Sequence, residues 1–298
     1  SRGSNSGVAY LGTITTTSDN EDVRVFVNGL ESTPAGDNER TQYEGIAYRS
    51  SSIEEPPPTG PKHRDVFLLA GQSNADGRGL SSELTGGLAG YAGSQPDILI
   101  HYSNLSYTNS NRSLYQKWVT LRPGFSRAPG YNGSLLSPTF GMEIGAGKIL
   151  SEYYPNPAFI KVTEGGTALG NPGIDWYPAP LDSPDVGRLY KELIEATQTA
   201  LAELETTGDT YTVHGLFWHQ GESDVSRTAE YNDLMTTLIE GVRRDLGMPN
   251  LRFIIGELAS TKAQTFRDVQ WEVARNSPNS EFISSSGLTT FEGTHFDT

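Results

Sequence analysis

The chain of 298 residues contains no cysteine. That excludes disulfide staples, thiolate nucleophiles and Cys-ligated metal centres, while leaving the compartment open. Positive charge is also short: 22 Lys and Arg stand against 36 Asp and Glu, a formal net charge of −14. A nucleic-acid backbone would be repelled by such a surface, so no nucleic-acid partner is expected. No apolar run comes near the roughly 18 residues that a membrane span requires, and the N-terminal stretch SRGSNSG has no signal-peptide pattern. No membrane partner is expected either. Histidine is scarce, with five in the chain, so a catalytic imidazole can be sought by elimination. What remains is 35% hydrophobic, enough for a sizeable core, with 33 glycines and 17 prolines that imply many turns.

Residues 1–53 carry three short segments rich in β-branched and aromatic residues, GVAYLGTITTT, DVRVFVNGL and EGIAYRS, with turn signals between them. They predict a small β-rich N-terminal module. Residues 54–64, EEPPPTGPKHR, hold three prolines in a row, which fit neither a helix nor a central strand. This stretch is the expected linker, and residues 65–298 the main domain. Beyond it, strand candidates at 97–102, 158–163, 212–220 and 251–258 alternate with helix candidates at 185–205 and 227–247, and a helix and a short strand follow. The alternation predicts a three-layer α/β/α domain with a mostly parallel sheet.

The first strand of that domain, DVFLLAG at 65–71, has five consecutive apolar residues, the pattern of a central strand buried on both faces. Ser73 follows at its carboxyl end, the edge of the sheet where open α/β folds place their ligands. A serine there is most often a turn or a helix N-cap. As a nucleophile it requires a base, an acid to orient the base, and oxyanion donors. His63 lies in the expected linker and His214 early in a strand, whereas His101 and His219 stand near carboxyl strand ends. His295 lies in a late loop with Glu292 three residues before it, and is the best base by placement. Gly165 or Gly166 after the strand at 158–163, and Gln220 in HQGESD, are candidate donors. Glu222 and Asp224 read equally as buried hydrogen-bond partners or a helix cap.

GQSN after one strand, GGT after a second, HQGESD after a third and a late acid-x-x-His together resemble the SGNH-type carbohydrate esterases, in their sialate O-acetylesterase and acetylxylan esterase branch. The resemblance covers about residues 65–298. It implies a flavodoxin-like α/β/α sandwich and metal-independent removal of acetyl groups from an acetylated carbohydrate, with no cofactor. Ser73 would be the nucleophile, His295 its base, and Glu292 the orienting acid. The Ser73 and Gly165 N–H groups and the Gln220 amide would form the oxyanion hole, while Gln72 and Asn74 hold the turn. The family's usual acid is aspartate, so Glu292 is a departure, with Asp297 as a substitute. Trp118, Trp176 and Tyr177 are expected to stack on sugar rings. A catalytically silent carbohydrate-binding module on the same fold is the alternative. An extracellular setting is expected, as a secreted enzyme or as part of a tail spike, which would make it a homotrimer.

Overall fold

A computed structural model of the chain describes residues 8–15, 22–28, 46–50, 60–103, 116–126 and 137–298. The chain divides into two units, Ser1–Glu55 and Pro56–Thr298. In the first, β1 (Val8–Thr15), β2 (Asp22–Asn28) and β3 (Ile46–Ser50) form an antiparallel sheet in that order. These are the three segments picked out by their β-branched and aromatic content. Most of the expected linker lies outside the described residues. Its end does not: β4 spans His63–Gly71 and so begins two residues before the expected domain start.

In the second unit the chain runs from β4 into a single turn, α1 (Ser73–Asp76), and a two-residue strand, β5 (Gly79–Leu80). It continues through β6 (Gln95–Ser103), β7 (Trp118–Leu121), β8 (Thr139–Phe140), α2 (Glu143–Leu150) and β9 (Pro157–Thr163). Then follow α3 (Arg188–Thr206), β10 (Thr210–His219), α4 (Thr228–Asp245), β11 (Arg252–Gly256), α5 (Gln264–Asn276) and β12 (Ser280–Ile283). The seven-stranded sheet has the order β12-β11-β10-β4-β9-β6-β7 and is parallel except for β7 at the edge. The three-layer α/β class is as the alternation of segments predicts. In detail β9 lies between β4 and β6, whereas the flavodoxin order puts the first strand between the second and third.

Burial explains the central position of β4. Every residue of β4 after His63 is buried, and all seven residues of β9 are buried. Val66, Leu68 and Ala70 pack on one face with Leu189, Leu193, Leu238, Ile239, Phe266 and Val273 from α3, α4 and α5. Phe67 and Leu69 face the other way, toward Ile144 of α2 and Phe159. Removing side chains of this size from water contributes roughly 1.5–3 kcal/mol each, which is what selects strand and helix here over the many glycine turns. Three elements were not anticipated. β7 lies in a polar, aromatic stretch, and β5 pairs with β8 in a separate small ribbon. Among the described residues no helix is long and apolar enough to cross a membrane.

Candidate active site

β4 is flanked by β9 and β10, so the residues after these three strands share one edge of the sheet. The chain leaves β4 through Gly71 at φ +140, where a Cβ would lie 2.1 Å from the carbonyl oxygen of His219. Only glycine fits there, and the N–H of Gln72 then donates to the same carbonyl at 3.0 Å. Ser73 follows, 5% exposed. Its Oγ lies 2.8 Å from Nε2 of His295, and Nδ1 of the same ring is hydrogen-bonded to Oε1 of Glu292. A carboxylate can only accept, so this contact puts a proton on Nδ1 and leaves Nε2 with the lone pair that faces the Ser73 hydroxyl. Asp297 is engaged elsewhere, accepting from the Thr289 hydroxyl at 2.8 Å.

Two backbone N–H groups belong to Ser73 itself and to Gly165 beside it. Among the described residues neither the Ser73 nor the Gly165 N–H donates to a protein acceptor. A Cβ on Gly165 would lie 3.4 Å from the Ser73 Cβ and 2.5 Å from Nη2 of Arg78, so the missing side chain leaves room for the guanidinium. Gly166, by contrast, is exposed, with nothing within 4 Å of its Cβ position. Gln220 is placed differently from expectation. It is fully buried, and its Nε2 donates to Asp224 Oδ2 at 2.6 Å and Thr167 O at 3.0 Å, with Gln72 Oε1 at 3.3 Å. Asp224 is itself fixed by the N–H groups of Leu169 and Gly170. Both amide hydrogens of Gln220 therefore face inward.

The expected sugar platforms do not gather at this edge. Trp176 is completely buried, edge-on to Trp218 at 5.0 Å, and its indole N–H donates to the Thr167 hydroxyl, so it offers no face to a ligand. Trp118 sits on the outermost strand, where its N–H donates to Ala200 O and its ring meets His101. Tyr177, like Trp118, is half-buried. Of the other aromatic residues in the stretch 103–137, Tyr107, Tyr115 and Tyr131 lie outside the described residues and Phe125 is completely buried.

The other histidines fall into structural places. His63 meets the Thr210 and Thr212 hydroxyls, and His214 pairs with Asp65 at 2.8 Å. His219 contacts Glu257 O and packs edge-on against Phe296. His101 is buried, and burial lowers its pKa to about 4, so it stays neutral inside the core. Sequence reasoning passed over Asp76 and Arg78, although both lie within five residues of Ser73. The buried Asp76 carboxylate receives the Tyr102 hydroxyl, the Thr163 hydroxyl and Arg78 Nη1, which ties α1 to β6 and β9. It also gave Gln72 and Asn74 too local a role. Gln72 Oε1 accepts from the N–H groups of Gly221 and Ser223, in the loop after β10, and Asn74 reaches the loop of His295.

A strand-edge serine, an imidazole and a carboxylate thus stand in a hydrogen-bonded row at one edge of a mostly parallel sheet covered by helices. Two solved structures share the fold. A protein from Arabidopsis thaliana matches at 19% identity with a TM-score of 0.58, over 78% of this chain and 90% of that one. A carbohydrate acetylesterase from Xanthomonas citri matches at 16% identity and a TM-score of 0.52, over 95% of this chain but only 62% of its own length. No curated protein matches the chain. The family model for carbohydrate esterases described as sialic acid-specific acetylesterases matches residues 63–298, and the chain belongs to that family.

Proposed function

We propose that this carbohydrate esterase works as a serine hydrolase, removing O-acetyl groups from a sugar through an acyl-enzyme. Family membership supports carbohydrate deacetylation. The observation that carries the mechanism is the row Glu292–His295–Ser73, with His295 Nε2 at 2.8 Å from Ser73 Oγ. In the proposed reaction Nε2 takes the hydroxyl proton as Oγ bonds to the acetyl carbonyl carbon. The developing oxyanion is met by the N–H groups of Ser73 and Gly165, donors in a position that is typically worth 10²–10³ in rate. Collapse breaks the bond to the sugar oxygen, which leaves with the proton from Nε2. Water then repeats the sequence on the acetyl-serine, releasing acetate and restoring Ser73. Throughout, the Nδ1 proton stays with His295 and Glu292 balances the imidazolium charge.

The test is acetate release by wild type and Ser73→Ala from acetylated xylan, O-acetyl sialic acid, acetylated bacterial polysaccharide and a small acetate ester, with chelator present. Wild type should release acetate from at least one of them, and Ser73→Ala should be slower by at least about 10⁴-fold. Release that survives in Ser73→Ala would refute the serine mechanism. Silence of the wild type on every substrate would favour a carbohydrate-binding role instead.

A further inference from the structure

Glu292 and His295 belong to one loop, so their contact orients the imidazole ring but cannot fix the loop relative to Ser73. Something outside the loop must do that. The ties from the segment after β11, Thr261 to Gly293 O and Lys262 Nζ to the Thr294 hydroxyl, reach the loop from the far side. One side chain reaches it from the nucleophile's own turn. Asn74, the residue directly after Ser73, donates from Nδ2 to Thr294 O at 3.1 Å and accepts at Oδ1 from the Phe296 N–H at 3.1 Å. Residues 294 and 296 flank His295, so a single planar carboxamide grips the backbone on both sides of the base.

The direction of that amide is set by a second buried group. Nδ2 also donates to Glu222 Oε1 at 2.6 Å, and the Glu222 side chain is 6% exposed. An ionised carboxylate only accepts, which turns the amino end of Asn74 toward Glu222 and Thr294 O and the carbonyl end toward the Phe296 N–H. The Phe296 ring packs on His219, close to Glu222, so the clamp is backed by packing.

We propose that Asn74 is the positioning residue that sets His295 against Ser73, with Glu222 holding its amide in the required sense. The inference rests on the proposed serine mechanism for its kinetic consequence, but not for its geometric one. Because Asn74 and Ser73 are adjacent, any movement of the α1 turn carries nucleophile and base together, and the 2.8 Å contact survives it. Removing the clamp lets the loop drift while Glu292 and His295 stay paired with each other.

The experiment compares wild type, Asn74→Ala and the near-isosteric Asn74→Asp as full-length chains. Asn74→Asp replaces the donor with an acceptor facing Glu222 and Thr294 O. Both variants should lower kcat about 100-fold, the cost of misplacing a catalytic group by about 1 Å, with KM changed less than about twofold. Adding Glu222→Gln to Asn74→Asp supplies a donor and should recover part of kcat. Independently of any substrate, the His295 ring resonances should move in both variants, and the Phe296 amide should exchange at least about tenfold faster in Asn74→Ala, which removes its acceptor. The idea is overturned if kcat per folded molecule is unchanged. It is equally overturned if the His295 and Phe296 signals stay in place. If wild type has no Ser73-dependent turnover, the proposed function fails, and the resonance and exchange comparison still decides the role of Asn74.

Discussion

Ser73 and His295 meet at hydrogen-bond distance, yet they stand on very different ground. Ser73 opens the turn that follows a buried strand at the centre of the sheet, two residues after a glycine that tolerates no side chain and in the same turn as the buried Asp76. His295 is 21% exposed in a surface loop, and Glu292, hydrogen-bonded to it, is 48% exposed. One partner is located by the core of the domain and the other by a few hydrogen bonds. Damage on the sheet side should therefore appear as lost stability, and damage on the loop side as lost rate in an intact fold.

The sharpest way to break this contrast is at Gly71. A Cβ there collides with the His219 carbonyl at 2.1 Å, and φ is +140, so relaxation must move two adjacent strands. Gly71→Ala should cost more than about 4 kcal/mol and lower the melting temperature by roughly 10 °C, as a thermal melt would read. A melting temperature within a degree or two of wild type would contradict the rigidity ascribed to this strand end.

Acid tests the sheet side more gently. The unfolded chain protonates His101 below its ordinary pKa of 6.5, whereas the folded chain, in which burial disfavours the charged ring, does so only near pH 4. The unfolded state thus binds more protons across that window, and stability must fall as pH drops through it, by about 3 kcal/mol in full. His101→Phe, which keeps an aromatic ring against Trp118, should flatten the pH dependence of denaturant unfolding between pH 6.5 and 4. A curve that keeps its slope would place the acid sensitivity elsewhere.

The smallest effect expected is on the loop side. A half-exposed carboxylate interacts through solvent and is screened, so its charge contributes less than a buried one in the same role. Glu292→Gln should leave the melt unchanged and lower kcat about 10- to 100-fold, well short of the roughly 10⁴-fold seen where such an acid is buried. A loss of the larger size would mean that the loop closes over Glu292 when substrate binds.

The same contrast separates what was legible in the sequence from what was not. An unbroken apolar run such as residues 66–70 needs no partner to be read, because burial on both faces dictates its composition. The period of α3 and α4 declares their buried sides in the same way. The meeting of Ser73 with His295 could be anticipated because few histidines compete for the role. Trp176 was misjudged because composition marks an aromatic side chain without saying which way it faces. Trp176 turns inward because its indole N–H finds the Thr167 hydroxyl within the core. Gln220 was legible as a strand-end amide, but its direction depends on Asp224, which is held by two N–H groups more than fifty residues earlier. Asn74 was illegible for a similar reason: its partners lie across the chain, and no local pattern announces them.

The contact between Ser73 and His295 joins residues 222 apart in sequence, and the clamp of Asn74 on Thr294 spans 220. Bringing such distant segments together costs chain entropy that no local contact returns, so the pairing must wait until β4, β9 and β10 have registered. During synthesis the turn of Ser73 can form long before His295 leaves the ribosome. A nascent chain would thus own a folded but inert half-site, and the competence to cleave an ester would arrive with the docking of one short loop.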